Sequence, residues 1–348
     1  MSLPRRVLVA PDAFKGTLSG GEVAAAIAAG LRRTGAQAEE CPVADGGEGT
    51  IEILRGALGG ELRSAASHDA LGRPVQASWL WLADRGTAII EMAQASGLAL
   101  IAAEERDAEL ASSAGTGELL LAARDAGAVR CVLAIGGTAT SDGGAGALGA
   151  IESGGGLGTI ELELACDVMI SFEEAAEVFG PQKGASPEQV ARLGARLRQM
   201  AEELPRDPRG IEMTGAGGGL AGAAWAVHGA TLRRGAEFVL EALDFDRRLA
   251  RADAVVIGEG CLDGQSRRGK ITGAILARAH RGGVPVHAIV GGLGPGSDPS
   301  DWGELASVQI AGTPGQLELA GAALAGQLRV YDSDGSKSMD SGGSCAPT

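Results

Sequence analysis

At both ends of the chain, short apolar segments alternate with amphipathic segments of helical period, and this alternation constrains the fold most. Near the N-terminus, "RRVLVAPDAF" has the length of a buried strand, and "SGGEVAAAIAAGLRRTG" follows as a helix with a capping box of Ser19 and Glu22. Near the other end, "ADAVVIGEG", "GKITGAILARAHRGG", "VPVHAIVGG" and "LASVQIAG" repeat the same order. Because parallel strands need a crossover between them, the two ends together predict one parallel sheet of an α/β fold.

The middle of the chain has a different pattern. The segment "ELRSAASHDALGRPVQASWLWLADRGTAIIEMA" alternates in the manner of hairpin strands, with turns at "DALGRP" and "DRG". A chain of 348 residues also exceeds the usual size of one domain. We therefore expect a second domain with an antiparallel or mixed sheet, inserted into the first, and a cleft between the two.

Charge and composition exclude several classes of protein. The chain has 44 acidic and 30 basic residues and a net charge of -14, which argues against nucleic acid and anionic membranes as partners. It has no apolar run of the roughly 18 residues that span a membrane, and "MSLPRRVLVAPDAF" lacks a signal-like core. The 5 cysteines and 4 histidines show no spacing typical of zinc sites or disulfide frameworks. The sequence predicts a cytoplasmic protein.

Four aspartates each come after a strand-like segment. Asp12 follows "VLVA", Asp45 follows "CPVA" with Glu48 close behind, Asp142 follows "CVLAIGG", and Asp167 follows "LELA". In open α/β folds, ligands bind beyond the carboxyl ends of the strands, where helix N-termini present backbone N–H groups. One such aspartate is ordinary, since aspartate also caps turns and helices. Four in series predict a ligand-binding edge.

Glycine clusters accompany these aspartates. The chain has 57 glycines, and a glycine after an aspartate lets backbone N–H groups approach phosphate oxygens while the carboxylate holds Mg²⁺ or accepts a proton. Phosphoryl transfer also needs cations, which Lys15, Lys183 and Lys270 could supply. A D-G-G triplet alone is equally compatible with a tight turn.

Two further glycine motifs are generic. The segment "GQSRRGK" has the spacing of a Walker A loop, but Ile271 stands where a Ser or Thr would reach Mg²⁺, so we do not interpret it as a P-loop. The segment "GGGLAG" contains Gly217 and Gly219 but follows no firm strand, which argues against a dinucleotide fingerprint. It is either a phosphate-binding loop at a helix start or a site of close helix packing.

These segments resemble those of the bacterial glycerate kinase family of type 1, the glycerate 2-kinases. The resemblance rests on "APDAFKGTLS", "VADGGEGT", "DALGRP", "SSAGTGELL", "IGGTATSDGGAGALGA", "ACDV", "VFGPQKGAS", "GAGGGLAGA" and "ADAVVIGEGCLDGQSRRGK". It implies a two-domain α/β fold with a Rossmann-like domain from residues 1–66 and 232–331 and an inserted mixed α/β domain from 67–231. Residues 332–348 lack periodicity and are expected to be a disordered tail.

The resemblance also implies an activity: transfer of the ATP γ-phosphate, with Mg²⁺, to a hydroxyl of D-glycerate, most often O2. It places nine charged residues around one interdomain cleft: Asp12, Lys15, Asp45, Glu48, Asp142, Asp167, Lys183, Glu259 and Asp263. Our hypothesis is that Asp142 or Asp45 takes the hydroxyl proton, that Asp167 and Glu48 hold Mg²⁺, and that Lys15 and Lys183 bind anionic oxygens. Four glycines would line the substrate and phosphate loops: Gly143, Gly144, Gly217 and Gly219.

Some positions differ from the family pattern. The segment "IESGGGLGTIELEL" is shorter than its family counterpart, and Cys261 stands where the family commonly has Arg. The alternatives are therefore a kinase of the same fold that makes 3-phosphoglycerate or acts on another small hydroxy acid, and a catalytically weakened binding protein. A dehydrogenase is disfavoured because no strand-anchored fingerprint is present. The sequence assigns no oligomeric state.

Overall fold

The computed structural model describes residues 5–14, 16–262, 271–294 and 298–334. The strands are Arg6–Pro11 (β1), Gln37–Glu40 (β2), Glu61–His68 (β3), Pro74–Leu82 (β4), Thr87–Glu91 (β5), Arg130–Ala134 (β6), Glu161–Ala165 (β7), Thr231–Arg233 (β8), Ala254–Gly258 (β9), Val286–Val290 (β10) and Ser307–Ile310 (β11). The α-helices are Gly20–Arg33 (α1), Thr50–Leu58 (α2), Ala93–Ser96 (α3), Ala114–Asp125 (α4), Ala145–Ser153 (α5), Ala175–Phe179 (α6), Pro187–Glu203 (α7), Leu220–His228 (α8), Gly235–Ala242 (α9), Phe245–Leu249 (α10), Ile271–Gly282 (α11) and Pro314–Asp334 (α12).

The first sheet is parallel and takes its strands from both ends of the chain. Its order in the described residues is β11-β10-β9-β1-β2, with Val9 opposite Val256 across β1 and β9. Alternate residues of β1 face opposite layers of the core: Val7 and Val9 pack with α1 and α12, whereas Leu8 packs with α2, α9 and α11. Helices cover both faces, which is why the central strands β1, β9 and β10 are largely apolar, whereas the edge strand β2 is polar and partly exposed. The predicted parallel sheet is confirmed.

The second sheet is mixed, as predicted. Its order in the described part of the chain is β3-β4-β5-β6-β7-β8, antiparallel from β3 to β5 and parallel from β5 to β8. This sheet begins at Glu61 and ends at Arg233. The division into domains stays a prediction, but boundaries drawn at the sheets would fall at 60/61 and 233/234 instead of 66/67 and 231/232.

Backbone contacts between glycines join the two sheets. A Cβ on Gly46 would lie 2.5 Å from the Cα of Gly235, and a Cβ on Gly136 would lie 2.7 Å from the Cα of Gly47. The loop after β2 therefore passes in backbone contact with the loops that follow β6 and β8. The carboxyl ends of strands from both sheets meet at this loop.

The C-terminal helix α12 packs against α1. A Cβ on Gly30 would lie 1.9 Å from the carbonyl oxygen of Glu318, so only glycine allows the two helix backbones to approach this closely. Helix α12 continues to Asp334, past the start predicted for the tail at residue 332, and residues 335–348 lie outside the described residues. Among the described residues, the structure contains no helix long and apolar enough to cross a membrane.

Candidate active site

Two adjoining clefts open at the carboxyl end of the first sheet. One has a volume of about 470 Å³ and is lined by Asp12, Asp45 and Glu259 together with Thr272. The other, of about 320 Å³, shares Asp12 and Asp45 with the first and adds Glu48. Four of the sequence-predicted acids therefore lie along one continuous acidic cleft.

Asp45 follows the strand-like segment "CPVA", and the loop that begins there orients its carboxylate. Its Oδ1 accepts a hydrogen bond from the backbone N–H of Gly47 at 3.1 Å. Gly46, between them, has a φ of +83°, a conformation that favours glycine. The D-G-G sequence thus turns the chain sharply while it leaves the carboxylate in the cleft.

Asp167 comes from the second sheet, two residues after β7, and interacts with Asp45 from the first. Burial raises its pKa from the ordinary value of 3.8 to about 7, and the negative charge of Asp45 adds to this rise. The backbone N–H of Ala236, in the first turn of α9, donates a hydrogen bond to Oδ2 at 3.0 Å and opposes the shift. Two carboxylates from different sheets therefore repel each other at the domain junction.

Asp167 is the described carboxylate that best suits a divalent cation, and like Asp142 it is not among the described residues that line the two clefts. Among the described residues, no group of three or more His, Cys, Asp or Glu side chains is arranged to hold a metal. Mg²⁺ commonly binds through one or two carboxylates and completes its coordination with water and substrate phosphates. A cation bound to Asp167 would also relieve the repulsion between Asp167 and Asp45. Glu48 is exposed at the mouth of the cleft.

Asp142, in contrast, is fully engaged in hydrogen bonds. Its Oδ2 accepts from the backbone N–H and the Oγ of Ser113, both at 2.8 Å, and from the N–H of Gly146 at 3.0 Å. Its Oδ1 accepts from the N–H of Gly144 at 3.1 Å. The carboxylate is 4% exposed and is absent from the described lining of both clefts. It joins the N-termini of α4 and α5.

The glycines of the two predicted phosphate loops pack against each other. The N–H of Gly143 donates to the carbonyl oxygen of Gly218 at 3.0 Å, and a Cβ on Gly219 would lie 2.9 Å from the Cα of Gly143. Gly144 and Gly217 are buried with positive φ, like their neighbours. The described residues that line the two clefts include none of the four predicted glycines.

Lys183 lies in the same buried region. Its Nζ donates a hydrogen bond to the carbonyl oxygen of Thr140 and lies 5.7 Å from the centre of the Phe179 ring. Burial lowers its pKa to about 8, although the negative charge of Asp142 opposes this shift. The side chain is 2% exposed and is not among the described residues that line the clefts. Lys15 and Asp263, as well as Lys270, lie outside the described residues.

Glu91 was not among the site residues predicted from the sequence. It is the last residue of the apolar strand β5, a position similar to that of the predicted acids, which come after strands. It is 2% exposed, and its Oε1 accepts a hydrogen bond from the N–H of Ile51 at 2.7 Å. Arg234, also not predicted, precedes α9, and its positive charge lowers the pKa of Asp167. The acid at the end of "TAIIE" could have been predicted from the sequence, because it ends an apolar strand-like segment. The proximity of Arg234 to Asp167 could not, because it depends on the fold.

The fold and the cleft define an α/β enzyme of two sheets whose acidic site lies at the strand ends between them. The model of the glycerate kinase family matches residues 7–155 and 154–331. The glycerate 2-kinase of Escherichia coli K12 is 38% identical over 83% of this chain and 85% of its own length, and the glycerate kinase of Bacillus subtilis 168 is 39% identical over the same shares. A crystal structure described as a glycerate kinase 2 from Salmonella typhimurium LT2 is 33% identical, covers 94% of this chain and 99% of its own, and has a TM-score of 0.79.

The chain therefore belongs to the glycerate kinase family. It is a kinase and uses ATP as the phosphate donor. The resemblance deduced from the sequence is confirmed, and the dehydrogenase alternative has no support.

Proposed function

We propose that this protein transfers the γ-phosphate of ATP to O2 of D-glycerate and releases ADP and 2-phosphoglycerate. The observation that carries the proposal is the close approach of the segments that hold Asp45 and Asp167: a Cβ on Gly46 would lie 2.5 Å from the Cα of Gly235 and 3.5 Å from the carbonyl oxygen of Ala165. A reaction between two anionic substrates needs a base for the hydroxyl and a means to neutralise phosphate charge, both at one place. Asp45 and Asp167 provide carboxylates for these two tasks.

We assign the base to Asp45. In the proposed step, Asp45 accepts the proton of the glycerate hydroxyl as that oxygen bonds to the γ-phosphorus, and the bond from this phosphorus to the bridging oxygen of ADP breaks. Asp45 lines both clefts and can reach a substrate in either. Asp142 already accepts four hydrogen bonds, so a further proton there would disrupt the starts of two helices. We therefore favour Asp45 over the alternative, Asp142.

Asp167, with Glu48 at the cleft mouth, would hold Mg²⁺. The cation, when bound, neutralises negative charge on the phosphates. The N–H of Ala236 fixes the orientation of the Asp167 carboxylate, and Arg234 adds positive charge beside it. Lys15 and Asp263 remain predicted site residues on the basis of the sequence. The predicted roles of Lys183 and of the four glycines in binding substrate are not part of this proposal, since all five are buried.

A cytoplasmic location and the absence of a nucleic-acid partner also belong to the proposal. The absence of a nucleic-acid partner rests on the acidic composition of the sequence, with its net charge of -14. The location rests on the lack of an apolar run of the roughly 18 residues that span a membrane.

The test is an assay of the purified protein with ATP, Mg²⁺ and D-glycerate that follows ADP release and identifies the product by ³¹P NMR. We expect glycerate-dependent ADP release and 2-phosphoglycerate. Asp45→Asn should lower kcat by roughly 10²- to 10⁴-fold, the usual contribution of a general base. The matched control is Asp84→Asn, in an exposed turn between β4 and β5. The product 3-phosphoglycerate would overturn the assignment to O2, and ligand-induced stabilisation without turnover would indicate a binding protein.

A further inference from the structure

Glu91 belongs to the second sheet and binds helix α2, which follows β2 of the first sheet in the chain. It is the last residue of β5, in the second sheet, and its side chain is buried. Its Oε1 accepts a hydrogen bond from the N–H of Ile51, in the first turn of α2. Helix α2 follows β2 of the first sheet in the chain and packs against α9 and against the strands β4 and β5. The carboxylate therefore links the second sheet to the segment of chain that leaves the first sheet.

Helix α2 needs this carboxylate because its own sequence provides no cap. Its N-cap residue is Gly49, in the left-handed conformation, which has no side chain to accept a capping hydrogen bond. The first N–H groups of a helix have no partner within the helix and require an acceptor from elsewhere. Glu91 accepts from the backbone of Ile51 and also interacts with that of Gly49. A residue 40 positions along the chain thus replaces the local cap.

The second sheet also fixes the orientation of the Glu91 carboxylate. The Nε2 of Gln94 donates to Oε2 of Glu91 at 3.3 Å, and the Oε1 of Gln94 accepts from the N–H of Ser78, in β4, at 3.4 Å. Gln94 thereby connects the carboxylate to a neighbouring strand. Contacts within the second sheet and the segment after it therefore fix the position of the acceptor.

The loop that Glu91 holds carries the proposed base. Only three residues separate Asp45 from Gly49, and the interior of this short loop also contacts the backbone of Gly136. Besides burial, the negative charge of Glu48 also acts on Glu91 and raises the pKa of its carboxyl group. A shift of the start of α2 would therefore move Asp45 relative to Asp167, which is attached to the second sheet.

We propose that Glu91 is a positioning residue: it caps α2 from the second sheet and thereby fixes the position of Asp45 relative to Asp167. The inference deepens the proposed function and rests on it. A base displaced by about 1 Å loses much of its effect, since proton transfer and nucleophilic attack need close alignment. Because the loss arises in the transition state, it affects kcat more than the KM for ATP.

The test compares Glu91→Ala, Glu91→Gln and Glu174→Gln with the unmodified protein. Glu174 is the matched control, because it also accepts a backbone N–H at a helix start, that of Ser171 at 2.8 Å, but in the second domain and outside the described lining of the clefts. The readouts are kcat, the KM for ATP and hydrogen exchange of the amides of residues 49–53.

We expect Glu91→Ala to lower kcat roughly 10- to 100-fold, to change the KM for ATP less than about threefold, and to accelerate exchange at residues 49–53. Glu91→Gln keeps one acceptor oxygen and should restore part of both the protection and kcat. It also keeps the test valid if the alanine variant fails to fold. Glu174→Gln should leave kcat and the exchange of residues 49–53 unchanged.

Unchanged exchange at residues 49–53 in both Glu91 variants would overturn the proposed cap, whatever the turnover. Accelerated exchange with unchanged kcat would overturn the link from the cap to Asp45. If the unmodified protein has no glycerate-dependent turnover, the proposed function fails separately, and the exchange data still decide whether Glu91 caps α2.

Discussion

Asp142 and Asp167 follow neighbouring strands of the second sheet, yet their surroundings differ in kind. Asp142 accepts four hydrogen bonds from backbone and hydroxyl donors. Asp167 has Ala236 as a donor but is buried beside the negative charge of Asp45. Donors stabilise the charged carboxylate, whereas burial and a like charge destabilise it. We therefore expect that removal of the charge raises the free energy of unfolding at Asp167 and lowers it at Asp142.

Asp167→Asn should stabilise the protein at pH 8 and impair catalysis. Because folding raises the pKa of Asp167 from 3.8 to about 7, the folded state binds the proton more tightly, and this contribution to stability is lost as the pH rises through 7. The variant cannot ionise, so its free energy of unfolding at pH 8 should exceed that of the unmodified protein by roughly 1 to 4 kcal/mol. Thermal unfolding at pH 4 and pH 8 measures this. Equal pH dependence in both proteins would contradict the prediction.

Asp142→Asn should have the opposite effect on stability. In this variant an NH₂ group replaces one carboxylate oxygen and cannot accept hydrogen bonds. The buried N–H groups that donated to that oxygen lose their acceptor, which lowers the free energy of unfolding by roughly 2 to 4 kcal/mol. Denaturant unfolding of this variant, with Asp45→Asn as the comparison, gives the measurement. A variant at position 142 that is as stable as the unmodified protein but inactive would restore Asp142 as the base.

At the scale of elements, helix glycines differ in their surroundings: some lie where two helices pack closely, and others face open space. Helices α4 and α5 pack at Gly117, where a Cβ would lie 2.6 Å from the carbonyl oxygen of Ala147. Gly149, also in α5, would place a Cβ with nothing within 4 Å. The two glycines share the same helix pair but differ in what surrounds them.

Gly149→Ala should raise the free energy of unfolding by roughly 0.5 to 1 kcal/mol, because alanine loses less backbone entropy in a helix. Gly117→Ala should lower it by a few kcal/mol, since the two helices must move apart. Urea unfolding of both variants checks the pair. Similar shifts of the same sign would show that helix propensity alone governs these sites.

At the scale of the whole molecule, the C-terminal helix completes the first domain. Leu317, Leu324 and Leu328 of α12 are buried with α1 and β1 in one core layer. Residues 335–348, which come after this helix in the sequence, contain Met339 as their one large apolar side chain and are predicted to add nothing to that layer.

Removal of residues 335–348 should therefore leave kcat and Tm unchanged, whereas removal of residues 314–348 should prevent stable folding. The second truncation exposes the apolar layer between α1 and β1, at a cost of roughly 1.5 to 3 kcal/mol for each large side chain no longer covered. Circular dichroism on heating, together with the kinase assay, measures both truncations. A folded, active product of the longer truncation would contradict the role given to α12.

The sequence by itself determined the secondary structure and the class of fold. Apolar strands, the capping box of Ser19 and Glu22 and the glycine stops are local signals, and the structure contains the corresponding elements. The order of strands and helices at both ends predicted the parallel sheet, since a parallel strand requires a crossover. Asp12 and Asp45 were predicted because each follows an apolar strand-like segment, and Glu259 was predicted from the family resemblance; all three line one cleft.

Only the tertiary structure decided what each polar residue contacts. The sequence motif around Asp142 resembles that around Asp45, but the N-terminus of α4 supplies donors to one and not to the other. The glycines of "SDGGAG" and "GAGGGLAG" pack on each other because two loops distant in sequence meet there. Glu91 of the second sheet caps helix α2, which follows β2 of the first sheet in the chain. The buried Nζ of Lys183 donates a hydrogen bond to the carbonyl oxygen of Thr140. These outcomes depend on distances between residues far apart in the chain, which local sequence patterns do not contain.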